Sequence, residues 1–133
     1  MSEREYDLVV VGAGPAGSSA AYAAAKNGIK VALLEKEENV AQTVRTSGVT
    51  WIDYAKEFGI PEDCYNPIRT YNFCSPKNKV SISDEQAKAA VLDVRKTYRF
   101  LAEQAKNNGE EIFVSTTVTE VITEDGKVVG VKA

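Results

Sequence analysis

The 133-residue chain contains no histidine, and that absence removes more chemistry than any other feature of its composition. Without imidazole there is no His-based acid–base step and almost no route to a zinc site, so any chemistry would have to come from a bound cofactor. Cysteine is scarce: Cys64 and Cys74 match neither a metal-ligand nor a redox spacing, so two reduced thiols and no metal site are expected. Long apolar runs are also missing. The strand-like runs of residues 8–11 and 31–34 fall far short of the roughly eighteen residues that would span a bilayer. The N-terminus lacks the apolar core of a secretory signal, which makes a cytoplasmic protein without a transmembrane segment the expectation. No charge of one sign dominates either: the net charge is −3, both signs are interspersed, and there is no basic patch to recommend nucleic acid as a partner.

What is present is a strand-turn-helix signature at the N-terminus. Leu8-Val9-Val10-Val11 reads as a parallel strand buried on both faces. It is followed by Gly12-Ala13-Gly14-Pro15-Ala16-Gly17, in which each glycine has a separate task. Gly12 allows the tight turn, Gly14 lets the backbone approach a pyrophosphate, and Gly17 lets the next helix pack against the strand. An Ala-rich segment of high helix propensity follows, stopped by Asn27-Gly28. Unpaired N–H groups and the positive end of the helix dipole at its start favour an anion. A second apolar strand, Val31-Ala32-Leu33-Leu34, closes on Glu35 and Lys36. A carboxylate at Glu35 suits the ribose hydroxyls of an adenosine and opposes a 2′-phosphate, which favours FAD or NAD over NADP.

Further along, residues 49–58 read as a short helix with Trp51, Tyr54, Ala55 and Phe58 on its apolar face and Gly59 as its stop. Residues 68–74 and 79–83 form an expected hairpin around Ser75-Pro76-Lys77-Asn78. Arg95 follows Asp93 at a strand-to-helix junction, and 97–106 is an amphipathic helix ended by Asn107-Asn108-Gly109. Residues 111–115 read as the third parallel strand, and 118–123 with 127–131 as a hairpin around Glu124-Asp125-Gly126. A plain NAD domain reaches its third strand after one crossover helix, whereas here a helix-plus-hairpin module intervenes. That spacing favours FAD over NAD. The fold expected is α/β: a Rossmann-like βαβ with a parallel sheet, the inserted module, and a β-hairpin after the third strand, all in one domain over residues 1–133.

These segments together resemble the FAD-binding N-terminus of the geranylgeranyl reductase group, relatives of the para-hydroxybenzoate hydroxylase flavoproteins. The likeness rests on the run from Asp7 to Ala21 with Leu33-Leu34-Glu35-Lys36, and it extends over nearly the whole chain. It implies that Val44-Arg45-Thr46-Ser47-Gly48 is the loop reaching the flavin side, that Arg95 contacts FAD, and that the backbone at Val118 meets the adenine. Two positions depart from the pattern: Thr46-Ser47 stands where Cys-Gly is usual, and Arg95-Lys96-Thr97-Tyr98-Arg99 where the family reads Arg-x-x-Phe-Asp. The resemblance also implies an N-terminal fragment of a longer flavoprotein, with the substrate domain, the second flavin motif and the catalytic residues beyond residue 133. The implied activity is reduction of carbon–carbon double bonds in an isoprenoid-type or other hydrophobic substrate, with peripheral contact to a membrane left open. A flavin monooxygenase of aromatic-hydroxylase type, an NAD-binding dehydrogenase and a non-catalytic adenine-nucleotide module stand as alternatives.

Overall fold

Val31–Leu34 is an unbroken apolar run, and every residue of it is buried. The computed structural model describes residues 3–133. The elements run β1 (Leu8–Val11), α1 (Pro15–Lys26), β2 (Val31–Leu34), β3 (Val49–Trp51), α2 (Ile52–Glu57), a 3₁₀ turn at Glu62–Cys64, β4 (Tyr65–Ile68) and β5 (Thr70–Cys74). They continue as β6 (Lys79–Ser83), β7 (Ala89–Leu92), α3 (Val94–Lys106), β8 (Glu111–Phe113), β9 (Glu120–Glu124) and β10 (Lys127–Lys132). The chain divides into two units, one holding the residues up to Val44 together with Tyr98–Ala133, the other Arg45–Thr97.

The first unit is built on the parallel sheet β1-β2-β8. Leu8 pairs with Val31 and Leu33 with Ile112, so β2 is the central strand. Alanine lets α1 lie close to this sheet: Ala21 and Ala25 are buried with Ala13, Val31, Leu33 and Ala105 in one apolar cluster. Removing such area from water contributes roughly 25 cal/mol per Å². β1 departs from the expectation of a strand buried on both faces. Among the described residues it is an edge strand, and Leu8 and Val11 are exposed. The hairpin β9-β10 forms around Asp125-Gly126 as expected, with Glu124 opposite Lys127, although β9 starts at Glu120 rather than Val118. β8 ends at Phe113 rather than Ser115 because Ser115 takes φ of +51°, which an extended strand cannot continue.

The second unit carries the inserted module. Its sheet, β3-β7-β4, is antiparallel, and β5-β6 is the expected hairpin. Residues 49–58 are not one helix. Val49, Thr50 and Trp51 pair with Val91, Ala90 and Ala89, because β-branched and aromatic residues suit a ladder once a partner strand is present. Only Ile52–Glu57 is helical, and Ala55 is its buried residue. The helix core expected of Trp51, Tyr54 and Phe58 does not form: they are exposed, Trp51 by 57% and Phe58 by 65%. α3 begins three residues before the expected start because Asp93 caps it, its carboxylate accepting from the Lys96 N–H at 3.0 Å.

Candidate functional site: a glycine turn and its carboxylate

The three glycines of the turn differ physically. Gly12 leaves β1 with φ of +97°, a left-handed value that side chains rarely adopt. A Cβ on Gly17 would collide with the carbonyl oxygen of Gly12, so the strand and helix approach as they do only because no side chain stands there. A Cβ on Gly14 would meet nothing within 4 Å. That glycine serves no packing inside the chain, and the open space before it suits a group brought from outside.

Gly14 caps α1 with extended backbone and Pro15 opens the helix. Proline there removes a donor that would be orphaned in any case and presets the helical φ. The first intrahelical bond runs from the Ser18 N–H to the Gly14 carbonyl at 2.9 Å. The N–H groups of Ala16 and Gly17 precede it and have no acceptor within the helix. No side chain caps this end and no acidic residue lies in the first turn, so the positive end of the dipole is left to an external anion.

Glu35 stands where the sheet meets this turn. Its backbone N–H donates to the Phe113 carbonyl at 2.8 Å, and its carbonyl accepts from the Thr116 N–H at 2.8 Å. Its carboxylate is engaged as well: Oε2 accepts from the Ala13 N–H at 2.8 Å and Oε1 from the Glu37 N–H at 3.0 Å. The bond between Gly12 N–H and the Leu34 carbonyl, 2.7 Å, adds a second tie from turn to strand. The structure thus brings Gly12, Ala13, Gly14, Pro15, Ala16 and Gly17 together with Glu35. Lys36 follows, exposed. Val118 is partly buried, two residues past the Thr116 that bonds Glu35.

The remaining predicted residues lie in the second unit. Gly48 has φ of +73°, and a Cβ there would stand 2.7 Å from Val94 Cγ2 and 2.9 Å from the Leu92 carbonyl oxygen. The Leu92 N–H donates to the Gly48 carbonyl at 2.9 Å. The Thr46-Ser47-Gly48 loop and the β7–α3 junction that bears Arg95 are therefore neighbours, a juxtaposition no local sequence signal announced. Thr46 Oγ1 accepts from the Gly48 N–H at 3.3 Å, and Arg45, Ser47 and Arg95 are exposed. Nearby, the Lys96 ammonium donates to Asp63 Oδ2 at 2.6 Å and holds that carboxyl below its ordinary range. Cys64 is buried and unpaired, and burial pushes its thiol up, which makes it a poor nucleophile; Cys74 is exposed and free. Among the described residues no three metal-ligating side chains gather, and no helix is long and apolar enough to cross a membrane.

The residues of the first unit fit a dinucleotide: open space at Gly14, a helix terminus without its own counter-charge, and a fixed carboxylate beside both. Residues 7–133 match the model of the FAD dependent oxidoreductase family. Over 116 residues the chain is 39% identical to a digeranylgeranylglycerophospholipid reductase of Methanocaldococcus jannaschii, covering 84% of this chain and 29% of that protein. The reductase of the same name from Methanocella arvoryzae is 37% identical, with 96% of this chain and 34% of that protein covered. The solved structure of a geranylgeranyl bacteriochlorophyll reductase-like protein from Thermoplasma acidophilum superposes with a TM-score of 0.84 at 31% identity, over 96% of this chain and 34% of that one. The chain thus spans about a third of the length of these relatives. It belongs to the FAD-dependent oxidoreductases, an enzyme family related to the geranylgeranyl reductases, and FAD is its cofactor.

Proposed function

We propose that this chain is the FAD-binding portion of a flavin-dependent reductase acting on carbon–carbon double bonds of an isoprenoid-type or similarly hydrophobic substrate. The observation that carries the reading is the glycine turn with Glu35 fixed beside it, in a chain 39% identical to a reductase of a geranylgeranyl lipid. Gly12 sets the turn, Gly17 admits the helix, and the first-turn N–H groups of Ala16 and Gly17 receive the pyrophosphate at the space in front of Gly14. Glu35 accepts from the ribose hydroxyls with the lone pairs its backbone donors leave unused. Val118, on the segment that runs past Glu35, meets the adenine. Arg45, Thr46, Ser47, Gly48 and Arg95 are assigned to FAD by resemblance, and a cytoplasmic location is part of the same reading. Bound FAD would supply the electron-carrying chemistry that the chain's own side chains do not.

Calorimetric titration with FAD, and NAD as competitor, tests the nucleotide assignment: FAD binding with much weaker NAD supports it, and preference for NAD overturns it. Gly14→Val should abolish FAD binding and leave the fold intact, since the added side chain fills space the chain itself does not use. In the full-length protein, anaerobic hydrogenation of an isoprenoid lipid, read by mass, supports the reductase. Substrate-stimulated oxygen consumption without that product would identify a monooxygenase instead.

A further inference from the structure

We propose that Glu35 is a positioning residue for the phosphate-binding turn as well as an acceptor for ribose, so that its removal weakens binding even of a nucleotide with no ribose hydroxyls. The inference rests on the FAD reading above. A turn flanked by glycines has wide backbone freedom, because Gly12 and Gly14 lack the Cβ that would narrow it. Something must select one orientation of the peptide groups between them. In this structure the selection falls on Ala13, which is buried and whose N–H donates to Glu35 Oε2 at 2.8 Å. That N–H belongs to the Gly12–Ala13 peptide, two peptide groups before the Gly14 carbonyl on which α1 starts, so holding it narrows the path by which the chain enters the first helical turn.

The carboxylate is well suited to the task. Its other oxygen is held by the Glu37 N–H at 3.0 Å, and the backbone of Glu35 is bonded on both sides to Phe113 and Thr116. The side chain therefore has little freedom to swing away. An ionised carboxylate offers about four acceptor positions. Two serve the chain's own N–H groups, which leaves one on each oxygen for a vicinal diol. One group thus sets the shape of the phosphate site and the place of the ribose together. Truncation would orphan the buried Ala13 N–H, a penalty independent of what the ligand carries.

A thermodynamic cycle separates the two roles. The chain and its Glu35→Ala variant are titrated with ADP and with 2′,3′-dideoxy-ADP, and amide hydrogen exchange at Ala13 is followed by NMR without ligand. The proposal expects the variant to bind the dideoxy compound about three- to tenfold more weakly, the loss of one hydrogen bond of ordinary worth. It also expects faster exchange at Ala13. A loss confined to ADP, with Ala13 protection unchanged, would overturn the positioning role while leaving the ribose assignment standing. Equal losses on both ligands would support positioning and remove the ribose role. If Glu35→Ala does not fold, Glu35→Met, of similar length and without a carboxylate acceptor, replaces it: faster exchange at Ala13 supports the proposal, and unchanged protection there overturns it.

Discussion

Around β2 the apolar residues face inward, whereas on the β5-β6 hairpin they face out. Leu33 is fully buried, while Phe73 is 61% exposed although the two side chains are equally water-averse. The pairing explains the hairpin: Tyr71 lies opposite Ile82 and Phe73 opposite Val80, so one face is apolar and the other holds Thr70, Asn72, Ser81 and Ser83. Among the described residues no third strand joins β5 and β6 in their sheet, and an isolated two-stranded ribbon is marginal in water. The second unit has a buried cluster of only Ala55, Tyr65 and Ala90, with Ile52, Ile60 and Leu92 against it. The contrast shows where this chain is anchored. The glycine turn stands on the well-filled unit, and the hairpin on the one that leaves apolar surface open.

The comparison can be broken most forcefully at Gly17. Gly17→Val forces a side chain into the Gly12 carbonyl and should lower stability by more than about 4 kcal/mol, or prevent folding outright, as read by urea denaturation. A folded variant of near-normal stability would show that α1 can retreat from β1. Next comes the paired truncation. Leu33→Ala should cost about 2 to 5 kcal/mol through lost burial and the cavity left behind, while Phe73→Ala should stay within about 0.5 kcal/mol of the parent. Equal costs would mean that the exposed face of the hairpin is covered in solution.

A smaller effect should appear at Glu110, inside the well-filled unit. The residue is 4% exposed, neither carboxyl oxygen has a hydrogen-bond partner among the described residues, and burial pushes its pKa up to about 7 from an ordinary 4.5. The folded chain therefore holds a proton there that the unfolded chain releases near pH 4.5. The associated stability is fully present below pH 4.5 and is lost as the pH rises through about 7. We expect stability up to about 3 kcal/mol lower at pH 8 than at pH 4.5 from this group, and a flatter profile in Glu110→Gln. An unchanged profile in that variant would place the pH dependence elsewhere.

Much of the first unit was legible because its signals are local. An apolar run, a glycine turn, an alanine helix and a second apolar run follow one another between Leu8 and Leu34, and each needs only its neighbours to be read. The β9-β10 hairpin was legible for the same reason, through Asp125-Gly126. The second unit was read less well because its sheet joins distant segments. Val49, Thr50 and Trp51 became a strand only by meeting Val91, Ala90 and Ala89, a partner that helical spacing within 49–58 could not reveal. Glu110 was missed altogether, since nothing in Asn108-Gly109-Glu110-Glu111 tells which of two adjacent carboxylates turns inward. The bond between Ala13 and Glu35 was likewise beyond reach, although each residue had been singled out.

The bracing of Glu35 by Phe113 and Thr116 has a consequence for the order of assembly. The turn and the first two strands are translated early, but the residues that pin the Glu35 backbone come far later in the chain. Closing that long loop has an entropic cost that grows with the logarithm of its length. A nascent chain can thus carry the whole glycine signature while the brace on Glu35 is still unformed, and the Glu35 backbone is pinned only once β8 has docked.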